Sequence, residues 1–184
     1  LFFSNNKKFA LKNINTVIKK GEFTSIIGMS GSGKSSFINV LAKLYDPTKG
    51  IISIDDKPLN EIGFHAWSDK ISFIPQEKLL YNYSIRDNIV LSNSLISQKK
   101  ILQVIKFCQL SKLINSLPNG IETIVGEDGN NFSGGQIQRI ILARALIKDS
   151  EILIFDEATN ELDPINENYI FSILKKLRKK KTLI

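Results

Sequence analysis

Apolar runs separated by polar turns set the rhythm of this chain. Phe23 to Ile27, Ile51 to Ile54, Ile71 to Ile74 and Ile152 to Phe155 read as short strands. Between them apolar residues recur at helical spacing, through Phe37, Ile38, Val40, Leu41 and Leu44, and later through Ile137, Ile140, Ile141, Leu142, Ala145 and Leu146. Strand signals alternating with helical ones predict an α/β fold, a mainly parallel sheet flanked by helices, with an antiparallel β edge near the N-terminus. Ile152 to Phe155 is apolar on both faces, as a strand in the middle of a covered sheet must be. From Pro75 to Ser133 the strand rhythm gives way to helical patterns at Ile85–Val90, Ile101–Phe107 and Leu110–Leu117, closed by the breakers Pro118-Asn119-Gly120 and Gly126 to Asn131. The expected organisation is one domain over 1–184, with a core from 1–78 and 138–184 and an inserted helical subdomain at 79–137.

The junction between the first candidate strand and the first helix carries chemistry. Gly28-Met29-Ser30-Gly31-Ser32-Gly33-Lys34-Ser35 fits G-x-x-x-x-G-K-[ST] without a mismatch. Glycines let backbone N–H groups turn inward around phosphate oxygens, and the helix N-terminus adds positive potential. Lys34 reaches the terminal phosphates, and the Ser35 hydroxyl is available to Mg²⁺. The core is thus expected to be that of a phosphate-loop NTPase, with Gly28, Ser30, Gly31, Ser32, Gly33, Lys34, Ser35 and Ser36 binding nucleotide. Asp156 follows four apolar residues at the carboxyl end of a strand, where open α/β sheets bind ligands, and is a candidate Mg²⁺ residue beside Ser35. Glu157, one residue on, is placed to polarise an attacking water.

A second anion-binding candidate lies at Asn131-Phe132-Ser133-Gly134-Gly135-Gln136. Ser133 is a natural N-cap, the glycines permit close approach of a phosphate, and the following helix is apolar almost all round.

Composition narrows the setting. With 184 residues the chain suits one domain with a sizeable core, and no apolar run is long enough to span a bilayer. The single cysteine, Cys108, has no disulfide or metal-site partner and reads as a small core residue in a reducing compartment. The formal charge of +7 is concentrated in Lys175, Lys176, Arg178, Lys179, Lys180 and Lys181, a solvated helix end without interleaved aromatics. Nucleic acid is therefore not an expected partner. His65, the only histidine, reads as a surface or packing residue. The chain begins at Leu1 and its only methionine is Met29, as a piece of a longer polypeptide would.

Phe132-Ser133-Gly134-Gly135-Gln136 resembles the signature motif of ATP-binding cassette (ABC) proteins, with the other cassette motifs around it in order. The resemblance spans essentially the whole chain. It implies that Ser133, Gly134, Gly135 and Gln136 meet ATP, with Ser133 and Gly135 at the γ-phosphate, and that Phe3 stacks on adenine. Gln76 would join the Mg²⁺ and water environment, and Asp163 would communicate between paired cassettes. Leu79 to Ile89 and Val125 to Gly129 resemble the exporter branch. The implied assembly is a sandwich of two cassettes, homo- or heterodimeric, joined in cis or trans to a transmembrane domain at the cytoplasmic face of a membrane, expected to be a bacterial inner membrane.

Phe132 stands where leucine is usual, Ile137 where a polar or basic residue is, and Asn160-Glu161 replace a small pair. Lys181-Thr182-Leu183-Ile184 resembles the start of the last core strand, after which the family carries a histidine at the γ-phosphate, so the piece is expected to bind nucleotide better than it hydrolyses it. The alternatives are a nucleotide-binding module and a non-transport ABC ATPase of the chromosome-maintenance type. The span from Lys34 to Ser133 leaves no room for the coiled coil of the latter.

Overall fold

The computed structural model describes residues 10–77, 79–91, 95–126, 129, 131–156, 164–178 and 180–184. They fall into two compact units. The first comprises the described residues within Leu1–Phe73, Ser150–Asp156 and Arg178–Ile184; the second, those within Ile74–Asp149 and Glu157–Leu177.

The first unit opens with helix α1 (Lys34–Leu41) and a hairpin of β1 (Ser53–Ile54) and β2 (Lys57–Pro58), followed by α2 (Phe64–Lys70) and all but the last residue of β3 (Ile71–Ile74). Asp55 and Asp56 connect the hairpin strands with φ of 46° and 68°, the left-handed pair a two-residue turn needs to match strand twist. The antiparallel edge expected near the N-terminus is this pair. Later chain supplies β4 (Ile152–Phe155) and β5 (Thr182–Leu183), giving a sheet of order β3-β4-β5 with β4 and β5 parallel. β4 is central, and Leu153 and Ile154 on its opposite faces are both fully buried, as the unbroken apolar run requires. Ala42, Leu59, Trp67 and Ile71 form a core under the hairpin, and the Trp67 indole Nε1 donates to the Leu41 carbonyl at 2.9 Å.

Phe23 to Ile27 differs from the sequence expectation. It forms a single parallel bridge, Phe23 to Leu183, with Thr24 N donating to Leu183 O at 2.8 Å and Leu183 N to Glu22 O at 2.9 Å. Beyond that bridge the run is covered only in part: Ile26 is half-buried and Ile27 is 91 % exposed. Ile51 to Ile54 likewise forms a ladder only at Ser53 and Ile54, with the Ile52 carbonyl accepting from Leu59 N at 2.8 Å just beyond it.

The second unit is helical over α3 (Ile85–Val90), α4 (Gln98–Phe107), α5 (Ser111–Ser116), α6 (Gly134–Ile147) and α7 (Pro164–Leu177). Ser84 and Ser97 cap α3 and α4 by accepting from Asp87 N and Lys100 N. Ile85, Ile89, Leu110, Val125, Ile140 and Leu142 are buried within this unit. Ile170, Ile173, Leu174 and Leu177 are also buried, at the i, i+3, i+4, i+7 spacing of one helix face. Cys108 lies buried at the end of α4, and burial pushes its thiol up to about 12, the mark of an inert packing residue. His65 is exposed in α2, its ring edge-to-face with Phe64 at a centroid separation of 6.0 Å. No helix among the described residues is long and apolar enough to cross a membrane.

Candidate functional site

The glycine-rich loop turns where Ser32 N donates to Met29 O at 3.1 Å, and α1 then begins at Lys34 with Gly33 as its N-cap. Gly33 has φ 94°, and a Cβ built there would lie 2.5 Å from the Ala10 carbonyl oxygen. Both facts demand glycine: the left-handed backbone strains any side chain, and the blocking atom belongs to a main chain that yields less readily than a side-chain tip. Having no side chain, Gly33 provides no cap of its own. The Ser35 and Ser36 N–H groups, in the first turn, are thereby directed to whatever anion the loop encloses.

Lys34 folds back over this loop, its Nζ donating to Gly28 O at 3.0 Å and Met29 O at 3.2 Å. The ammonium is held at the mouth of the loop, where it would face phosphate. Ser35 Oγ donates to Asp156 Oδ1 at 3.2 Å. This bond joins two segments far apart in sequence, the start of α1 and the end of β4. Asp156 is nearly buried, at 7 % exposure, so its carboxylate is aimed and partly dried rather than solvated in a loop. With its hydrogen spent on Asp156, Ser35 Oγ keeps lone pairs for a cation. A hydroxyl beside a carboxylate is the hard, oxygen-only donor set that suits Mg²⁺, which takes few protein ligands and completes its shell with phosphate oxygens and water.

Gly28, Ser30, Gly31, Ser32, Gly33, Lys34, Ser35 and Ser36 thus form one continuous loop and helix start, with Asp156 bonded to it. In the second unit Gln76 is exposed in the bend after β3. Ser133, Gly134, Gly135 and Gln136 form the N-terminus of α6. There a reciprocal capping box has Ser133 N donating to Gln136 Oε1 at 2.9 Å and Gln136 N to Ser133 Oγ at 3.3 Å. A Cβ at Gly134 would meet nothing within 4 Å, so its outer side is open. Phe3, Glu157 and Asp163 lie outside the described residues. Sequence reasoning missed the Ala10 carbonyl behind Gly33, which has no side-chain signal, and Arg144, whose signal is a lone charge on the apolar stretch of α6.

A glycine loop feeding a helix at the edge of a covered sheet, with its serine bonded to the acid that ends the central strand, belongs to the phosphate-loop class of nucleotide-binding proteins. Within that class the comparisons are specific. The ABC transporter family profile matches residues 11–160, and the chain belongs to that family as an ATP-binding domain. An ABC transporter ATP-binding protein of Sinorhizobium fredii is 39 % identical over 183 residues, covering 100 % of this chain and 31 % of that protein. The ATP-dependent lipid A-core flippase of Hahella chejuensis is 39 % identical over 185 residues, covering 99 % of this chain and 31 % of the flippase. Among solved structures, that of a bacterial Atm1-family ABC exporter with ATP bound superposes with a TM-score of 0.91 at 32 % identity, covering 100 % of this chain and 32 % of that one. This chain therefore spans about a third of the length of these relatives. Family membership carries ATP binding with it.

Proposed function

We propose that this chain is the ATP-hydrolysing domain of an exporter, and that it powers transport by closing onto a second cassette around ATP. The bond between Ser35 and Asp156 carries the reading, because it brings the loop that would hold phosphate to the acid that would hold its cation. Lys34, Ser35 and Asp156 hold MgATP, Phe3 stacks on adenine, and Gln76 joins the cation and water environment. A Mg²⁺ ion held by Ser35 and Asp156 would supply charge neutralisation at the phosphates. Glu157 orients or deprotonates the attacking water. Ser133 and Gly135 of a second cassette close over the γ-phosphate, with Gly134 and Gln136 shaping that helix end.

In this reading 79–137 is the helical signature subdomain and 1–78 with 138–184 the nucleotide-binding core. A transmembrane domain, in cis or trans, places the cassettes at the cytoplasmic face of a membrane, in bacteria the inner membrane. The exporter assignment draws on relatives named as a lipid A-core flippase and an Atm1-family exporter.

Glu157→Gln tests the chemistry. In the full-length protein this variant is expected to bind MgATP and accumulate as an ATP-bound dimer by size exclusion, with turnover reduced by roughly a hundredfold or more, within the range for loss of a general base. Turnover close to wild type would remove Glu157 from its assigned role. A wild-type protein that binds ATP without hydrolysing it would instead make the cassette a nucleotide-sensing module.

A further inference from the structure

Arg144 sits in the last turn of α6, on a stretch where Ile141, Leu142, Ala143, Ala145 and Leu146 are all buried. Its guanidinium meets three acceptors and an aromatic ring. Nε donates to Asn88 O at 2.7 Å, Nη2 to Asn88 Oδ1 at 2.8 Å, and Nη1 to Leu79 O at 2.9 Å, while the group lies 5.3 Å from the centroid of the Tyr81 ring. Among the described residues no carboxylate pairs with it. Half-burying a cation costs desolvation, and among the described residues only carbonyls and the Tyr81 ring offset it, so the arrangement is a poor source of stability. What it provides is geometry: a planar fork with fixed angles that specifies where each acceptor must be.

The acceptors define what is fixed. Asn88, fully buried in α3, accepts from Tyr81 N at 2.8 Å and donates from Nδ2 to Tyr81 O at 2.8 Å and Ser84 O at 3.0 Å. Arg144 and Asn88 together therefore grip the backbone from Leu79 to Ser84. That segment begins three residues after Gln76 and contains no regular helix or strand; its far end is also held by Val125 N donating to Tyr83 O at 2.9 Å and by the Ser84–Ile124 bridge. At its other end, Arg144 belongs to the same 14-residue helix that starts beside Ser133.

We propose that Arg144 is a positioning residue that fastens the segment leaving Gln76 to the helix beginning at Ser133, so that the two move as one piece. The roles of those two ends rest on the function proposed above; the fastening itself does not. A change at Gln76, when a neighbouring domain or the nucleotide moves it, is thereby transmitted along a rigid helix to the end that would meet the γ-phosphate of the opposite cassette. Tyr83 and Ser84 are tied as well to residues 123–125, so what the fork alone supplies is the direct bond of Leu79 to α6 and, through Asn88, the placing of Tyr81.

Arg144→Lys in the full-length protein separates charge from fork, since an ammonium keeps the charge and cannot span three acceptors. Tyr81→Leu, at a half-exposed position, removes only the ring and guards against loss of folding. Amide exchange without nucleotide is expected to accelerate about tenfold or more at 79–84 in Arg144→Lys and less in Tyr81→Leu, with residues 135–143 unchanged. In steady-state hydrolysis KM for ATP stays near wild type while kcat falls about tenfold. Unchanged exchange at 79–84 in both variants would overturn the fastening. Accelerated exchange with unchanged kcat would overturn its positioning role. A wild-type protein without ATP turnover fails the proposed function instead, and the nucleotide-free exchange still decides whether the fastening exists.

Discussion

Gly33 shows how much a single position in the loop is constrained, and how unequal the glycines around it are. A methyl group there meets the Ala10 carbonyl at 2.5 Å on a backbone with φ 94°. At Gly31, φ is 74° but nothing lies within 4 Å, so the same methyl incurs only the intrinsic left-handed penalty of about 1–2 kcal/mol. Gly33→Ala is accordingly expected to weaken MgATP binding by well over tenfold in calorimetric titration and to destabilise the fold by roughly 1–3 kcal/mol. Gly31→Ala is expected to be milder on both counts; equal effects would mean that the Ala10 segment yields and does not define the loop. The spacing of the motif made all of these residues legible in the sequence, together with Asp156. It could not rank them, because the atom that makes Gly33 strict is a backbone carbonyl, and every residue carries one. Arg144 was illegible for the same reason: two of its three hydrogen-bond acceptors are main-chain oxygens.

At the scale of elements, β4 and α6 were the most legible because each is buried nearly all round, which leaves the hydrophobic pattern no ambiguity of face. α3, α4 and α5 also fall where the helical spacing puts them. Phe23 to Ile27 was not legible as the structure has it. A strand signal records that side chains are apolar and branched, whereas a strand exists only where a neighbour accepts its hydrogen bonds, and here the two-residue β5 offers one bridge. The start of α6 makes a prediction that separates architecture from chemistry. Ser133→Ala removes the cap and should lower stability by about 1 kcal/mol, a drop in melting temperature of about 2–4 °C. Ser133→Asp keeps a capping acceptor and favours the helix dipole, so melting should stay near wild type. Yet a carboxylate at that end repels the γ-phosphate, and the ATP-trapped dimer should be lost in both variants. Trapping by Ser133→Asp at wild-type nucleotide concentrations would show that Ser133 acts only as a cap.

At the scale of the whole molecule, the proposed division of labour between chains has a consequence that no single variant reveals. If each nucleotide is gripped by the loop of one cassette and closed over by α6 of the other, a Lys34→Ala chain and a Ser133→Asp chain are each inactive alone, for different reasons. In a mixed dimer the intact loop of the second chain faces the intact signature end of the first, forming one competent site, while the opposite site carries both defects. Random pairing makes about half of the dimers mixed, and each has one working site of two, so about a quarter of wild-type ATP turnover should return on mixing if the sites act independently. Should hydrolysis require both sites in succession, mixing restores ATP-dependent dimerisation without turnover, which sedimentation distinguishes from steady-state rates. Should each chain instead close over its own nucleotide, mixing restores neither. The experiment thus tests the sharing of each site between two chains, using two residues whose local geometry, a lysine folded across a loop and a serine capping a helix, is already fixed within one.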